Sequence, residues 1–276
     1  MDGMQPSREQ LVSFKSFIWS FYHGQGRPFA WRNNDDPYAV VVSEIMLQQT
    51  QTYRVAPKFE LFIQQFPTFQ TLANASLQEV LAIWQGLGYN RRALALQGIA
   101  QQVVSEYGGV LPNDPEILVT FKGIGPATAA SICAFAFNRP TTFIETNIRS
   151  VFIHSFFKGR EKVDDKELSP LVEATLDREN PREWYYALMD YGVYLKKEKG
   201  NPSRKSKHHT KQSRFEGSDR QIRGAIVRTV ARRGELSESD LFVAIKEPDT
   251  VRFSRILAQL ATEGFVVKKG DMWVIG

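Results

Sequence analysis

The sequence predicts a mainly α protein that ends in a smaller module of helices and one hairpin. Three observations carry this prediction. Apolar residues recur at helical spacing through residues 7–197, and turn signals separate them at short intervals. No run of β-branched alternation interrupts that part of the chain. A period-two pattern arrives only at residues 265–275, around Lys269-Gly270-Asp271, where a hairpin turn fits.

The chain has 276 residues, enough for two domains. Hydrophobic residues make up 42% and charged ones 24%, an ordinary globular balance. A formal charge of +5 permits nucleic-acid binding without establishing it. A single cysteine, Cys133, excludes an internal disulfide and a thiolate-ligated zinc or iron–sulfur centre. No long apolar run or signal-peptide pattern opens the chain, so no membrane partner and a cytoplasmic location are expected.

Taken in order, residues 7–24 carry Leu11, Phe14, Phe17, Ile18 and Phe21 at helical spacing. Residues 27–32 then lead through a polar turn at 33–36 into the most informative stretch, 37–53. Nothing breaks a helix between residues 38 and 53. Glu44 lies in its greasy part, with Val40, Val41 and Leu47 one turn away. Desolvation against such a wall raises a carboxyl pKa and makes it a proton donor near neutrality. The plainer alternative is a glutamate that reaches solvent or pairs with an arginine. Directly after it, residues 48–52 supply five amide and hydroxyl side chains suited to base edges and phosphates.

Helices are predicted over 57–66, 76–84, 90–107, 114–120 and 128–137, with a capping box at Ser76 and Glu79. The Gly86-Leu87-Gly88-Tyr89-Asn90 turn leads into Arg91 and Arg92. Cations at a helix start oppose its dipole, which suggests a ligand for them. In residues 121–129, Gly123 and Gly125 allow a tight turn, and Pro126 opens the next helix. Free N–H groups there suit a phosphate, although for Gly-x-Gly alone a structural turn is the better reading. Further helices are predicted over 165–177 and 183–197, with Tyr186 and Asp190 on one face. Residues 200–214 hold five Lys or Arg and no acid, reading as a solvated linker or a phosphate contact. Helices over 219–232, 237–245 and 250–263, followed by the hairpin, look like a winged helix-turn-helix module, which binds DNA or another protein.

The run Ser43-Glu44-Ile45-Met46-Leu47-Gln48-Gln49-Thr50-Gln51 resembles the catalytic-helix motif of the MutY-type adenine DNA glycosylases, in the helix-hairpin-helix glycosylase superfamily. The resemblance covers roughly the first 195 residues. It implies a helix-hairpin-helix DNA glycosylase fold over 1–199, a basic linker over 200–217 and a winged-helix module over 218–276. It further implies Glu44 as the acid that protonates a flipped purine and Glu145 as the carboxylate that stabilises the sugar cation. Glu145 departs from the family's Asp; Asn147 two residues on is retained, and Glu145 could instead be only a helix-start acid. Trp31, Arg32, Tyr89, Asn147 and Tyr186 would line the base pocket. Gln48, Gln49 and Thr50 would enter the stack or touch the opposite strand, and Lys122, Gly123, Gly125 and Thr128 would grip the backbone. The family's four-cysteine iron–sulfur loop is replaced by the 199–212 segment, so neither cofactor nor metal is expected. Pro126-Ala127 stands where bifunctional relatives carry a lysine nucleophile, so no lyase step is expected. The implied substrate is duplex DNA with adenine opposite G or 8-oxoguanine, bound by a monomer. A thymine/uracil mismatch glycosylase and a catalytically silent winged-helix regulator are the alternatives.

Overall fold

The computed structural model describes residues 6–32 and 35–276, so the expected polar turn at 33–36 lies partly outside the described residues. These residues fold into fourteen α-helices and one three-stranded sheet at the C-terminal end. None of the described helices is long and apolar enough to cross a membrane. By internal packing the chain divides into two compact units: Met1–Val40, Pro112–Thr120 and Ile124–Lys211 form one, and Val41–Leu111, Phe121–Gly123 and Gln212–Gly276 form the other.

The first unit is held by an aromatic core. Helices α1 (Arg8–Gln25), α9 (Thr146–Phe156) and α11 (Pro181–Glu198) pack through Phe14, Phe152 and Trp184, with ring centroids 5.3 and 6.2 Å from Phe14. Phe152 and Trp184 are fully buried, and each such ring contributes about 1.5–3 kcal/mol by leaving water. Helices α7 (Pro115–Leu118), α8 (Pro126–Phe137) and α10 (Asp165–Thr175) complete this unit. Residues after α11, read from sequence as a solvated linker or a phosphate contact, make local bonds. Pro202–Lys205 forms a 3-10 turn capped by the Asn201 side chain. The Val163 N–H donates to the Lys205 carbonyl at 2.9 Å, and the Lys207 N–H returns to the Val163 carbonyl at 2.9 Å.

In the second unit, helix α2 (Pro37–Leu47) supplies its last seven residues, with α3 (Thr52–Gln65), α4 (Phe69–Asn74), α5 (Leu77–Trp84) and α6 (Arg91–Tyr107). The α5 capping box forms as expected: the Ser76 N–H donates to Glu79 Oε2 at 2.8 Å, and the Glu79 N–H to Ser76 Oγ at 3.3 Å. Two expectations fail here. The helix expected across 38–53 stops at Leu47, and Gln49 takes a left-handed φ of 54°. The helix expected from 57 begins at Thr52, and Pro57 lies inside it.

The C-terminal residues belong to this second unit. Helices α12 (Asp219–Arg233), α13 (Glu238–Ile245) and α14 (Thr250–Thr262) bury Ile226, Leu241, Phe253 and Leu260 against the sheet. Strands β1 (Leu236–Ser237), β2 (Val266–Lys269) and β3 (Met272–Ile275) run antiparallel in the order β1-β3-β2. The hairpin turn falls where Lys-Gly-Asp predicted it, with Gly270 at φ 59°.

Candidate active site

Glu44 sits three residues before the end of α2, half-buried, with Val40, Val41 and Ile45 beside it fully buried. The end of this helix is capped by Arg92, 48 positions after Glu44 in the chain. Its buried guanidinium donates to the carbonyls of Ile45 (2.9 Å), Met46 (2.8 Å) and Gln48 (2.6 Å), and to Thr50 Oγ1 (2.9 Å). Ile45 and Met46 lie in the last turn of α2, whose carbonyls a helix C-terminus leaves without partners. The same group donates to the Gly88 carbonyl at 3.1 Å, so one cation joins the end of α2 to the loop before α6. Burial pulls the Arg92 pKa down to about 10, and it remains charged at neutral pH. The sequence reading offered Arg92 to a ligand; its donors instead serve the chain itself.

Gln48, Gln49 and Thr50 therefore form a turn, not a helical face. Gln48 Nε2 reaches the Gly123 carbonyl at 3.4 Å, Gln49 is exposed, and Thr50 is buried on Arg92. Tyr89 also has a left-handed backbone, φ 48°, and the Arg92 guanidinium lies 5.5 Å from its ring.

The two glycines of the 121–129 stretch differ in kind. Gly123 takes φ 95°, and a Cβ there would meet Ala95 Cβ at 2.6 Å, so the fold itself requires glycine. Gly125, the N-cap of α8, has an ordinary φ of −89°, and a Cβ would meet nothing within 4 Å. The fold does not explain this glycine. Lys122, Gly123, Gly125 and Pro126 are exposed, while Thr128 lies in the first turn of α8.

In the first unit, Arg32 pairs with Asp190 and lies over Tyr186. Arg32 donates Nη1 and Nη2 to the two Asp190 oxygens at 2.8 Å each, and its guanidinium lies 4.5 Å from the Tyr186 ring. Arg27 adds its N–H and Nε at 2.8 and 2.7 Å. Burial alone would raise the Asp190 carboxyl, but Arg32 and Arg27 outweigh it and leave its pKa below the usual value. Trp31 is buried and stacks on Phe29 at 4.7 Å. An open cavity of about 500 Å³ is lined by Tyr22, Arg27, Arg32, Glu183 and Tyr186 among others, a volume that admits a nucleobase. Sequence reasoning missed Arg27, and it noted Asp190 only for its face. The available signal was an acid one turn after Tyr186 on a helix face otherwise aromatic and apolar.

Glu145 and Asn147 meet at the start of α9. Glu145 Oε1 accepts the N–H groups of Asn147 (2.6 Å) and Ile148 (2.9 Å), and Oε2 accepts the Asn147 amide at 3.1 Å. Glu145 is thus the N-cap, the helix-start role that the sequence left open beside the catalytic one. Desolvation raises its pKa, opposed by those N–H groups and by Lys196. Lys196, pulled down by its own burial, donates Nζ to Asn147 Oδ1 at 2.7 Å. Gly192 presses on this corner: a Cβ there would lie 2.6 Å from the Asn147 carbonyl oxygen.

An iron–sulfur cluster does not fit these residues. Cys133 lies buried in α8 with its thiol pushed up to about 11 by burial. After α11 stand Lys, Ser and His side chains, of which Lys207 and His208 lie against Asp164 at 3.0 and 3.3 Å. Among the described residues no group of three His, Cys, Asp or Glu is placed to hold a metal ion.

The helical architecture is a fold shared with solved DNA glycosylases. Residues 42–174 match the family described as HhH-GPD superfamily base excision DNA repair protein. It is similar to the adenine DNA glycosylase of Buchnera aphidicola subsp. Baizongia pistaciae, at 32% identity over 67% of this chain and 53% of that one. The chain thus spans about half the length of that relative. The adenine DNA glycosylase of Mycobacterium tuberculosis is 29% identical over 92% of this chain and 90% of its own. The solved structure of a thermostable thymine-DNA glycosylase shares the fold at a TM-score of 0.60 and 24% identity, over 67% of this chain and 87% of that one.

Proposed function

We propose that this chain is a monofunctional DNA N-glycosylase that releases adenine from duplex DNA, opposite G or 8-oxoguanine, acting as a monomer. The observation that carries the reading is Glu44. It is a half-buried carboxylate on a helix walled by buried valines and isoleucine, and Arg92 caps that helix, beyond which Gln49 turns outward.

In this reading the base is turned out of the stack. Glu44, protonated, gives its proton to a ring nitrogen of the purine as the bond to C1′ breaks, and the bonding electrons leave with the base. The sugar becomes an oxocarbenium ion. Glu145, ionised, stabilises that cation until water adds to C1′ and loses a proton. Arg32, Tyr186 and Asp190 frame the cavity for the base, and Asn147 with Lys196 orients Glu145. Gly125 supports a backbone contact: its Cβ position is open and its N–H heads α8, so a phosphate can approach where a side chain would stand. Pro126-Ala127 offers no amine nucleophile, so strands stay intact until alkali is added. A single cysteine supplies no four-thiolate set for an iron–sulfur cluster, and the reading gives the proton and charge roles to side chains. The winged-helix reading of residues 218–276 and a DNA-associated location belong to the same proposal.

The test is single-turnover incubation with duplexes holding A/8-oxoguanine, A/G, T/G and U/G, then alkali. Release is expected from the two adenine duplexes and lost in Glu44→Gln with duplex affinity kept. Release from T/G or U/G alone would replace adenine as the substrate.

A further inference from the structure

The C-terminal module touches the loop that Arg92 ties to the catalytic helix. Arg220, at the start of α12, donates Nη1 to Tyr89 Oη at 3.1 Å. Its other nitrogen is anchored on Ser213, at 2.7 Å from the carbonyl and 3.2 Å from Oγ. Two residues beyond Tyr89, Arg91 donates Nε to Glu263 Oε2 at 2.9 Å, and Arg223 of α12 meets the same carboxylate. Residues 89 and 91 are thus held by the module, and residue 92 holds the end of α2. Tyr89 needs holding. A non-glycine side chain at φ 48° is strained and persists where its surroundings fix it. On the other side, the Arg92 guanidinium lies 5.5 Å from the Tyr89 ring and bonds the carbonyls of Gly88, Ile45, Met46 and Gln48. A shift of Tyr89 therefore reaches the turn that follows Glu44.

We infer that Arg220 is a positioning residue for base release: through Tyr89 and Arg92 it fixes the end of the helix that carries Glu44, and the C-terminal module completes the site. The inference rests on the proposed glycosylase reading. Arg220 touches no reacting atom. Its contribution is the geometry of a strained loop, which makes it visible in the rate of release rather than in affinity for DNA.

The test compares the full chain with Arg220→Met, Arg220→Lys, Tyr89→Phe and the double variant Arg220→Met/Tyr89→Phe. Single-turnover release from an A/8-oxoguanine duplex under saturating enzyme is measured beside duplex affinity and its salt dependence. Arg220→Met is expected to slow release about tenfold, the scale of a sub-ångström misplacement, with affinity held. Arg220→Lys should recover part of the rate, and the double variant should be no slower than the slower single. Amide hydrogen exchange over residues 86–92 should quicken in Arg220→Met whatever the activity. Parental release by Arg220→Met would overturn the inference, as would additive losses in the double variant. Weaker binding with a flatter salt slope and an unchanged rate would make Arg220 a phosphate contact, and that also overturns it. If the parent releases no base from any duplex, the glycosylase reading fails, and unchanged exchange over residues 86–92 would separately defeat the tether.

Discussion

Replacing Arg92 by methionine keeps the aliphatic stem and removes the guanidinium. Three acceptors at the end of α2 then lose this donor, the carbonyls of Ile45 and Met46 and Thr50 Oγ1; the Gln48 and Gly88 carbonyls each lose one of two. Hydrogen bonds to a charged group contribute about 1.5–3 kcal/mol each, neutral ones about 1. Taking about 1 for each of the five puts the gross loss near 5 kcal/mol. Relief from holding a buried cation offsets part of it, so about 3 kcal/mol remains. That is a large share of the roughly 5–15 kcal/mol that holds a domain together. In urea, with a slope of about 2–3 kcal/mol/M, the midpoint should fall by about 1 M. Arg92→Lys should recover less than half, because an ammonium cannot span acceptors set out for a planar fork. A midpoint unchanged in Arg92→Met, with base release intact, would refute the view that this side chain holds the end of α2.

Three further outcomes follow from the geometry. Gly192→Ala drives a methyl into Asn147 and must displace the start of α9; a loss of about 1–3 kcal/mol by thermal melting, with slowed base release, is expected. Glu145→Asp should slow release and Glu145→Gln should slow it more. Because desolvation raises the Glu145 pKa, the parent rate should climb with pH through a value above the ordinary carboxylate range, and that limb should vanish in Glu145→Gln. Hydrogen bonds from Arg91, with Arg223 beside it, depress the Glu263 pKa. Its contribution to stability is therefore complete above the unfolded value near 4.5 and lost as pH falls toward about 2. Acid titration of melting should lose that component in Glu263→Gln.

Much of this was legible in sequence where the cause is local. Ser76 and Glu79 announce the start of α5 because both halves of the capping box lie within one turn. Gly270 between lysine and aspartate places the hairpin for the same reason. The end of α2 was not legible, since no breaker lies between residues 38 and 53 and the group that caps the helix stands at position 92. The buried pairing of Asp190 with Arg27 and Arg32 escaped likewise, its partners being 163 and 158 residues away. Glu145 was found as an acid at a helix start, but its four-atom reach around Asn147 and Ile148 is a matter of coordinates. By charge the 200–214 run reads as a solvated linker or a phosphate contact, whereas Asn201 and the Val163 bridge to Ser206 order its first part through bonds that charge counting does not register.

Cys133 has a practical consequence. The chain holds no other cysteine, and this one is enclosed in α8 with its thiol pushed up to about 11. At neutral pH almost none of it is thiolate, the form that reacts with maleimides and iodoacetamides. A cysteine introduced at an exposed position such as Val243 or Val251, 72% and 78% accessible, would then take up a fluorophore or spin label alone. Movements of the C-terminal helices on addition of a duplex can be tested in an otherwise unaltered protein, with the native thiol left in place.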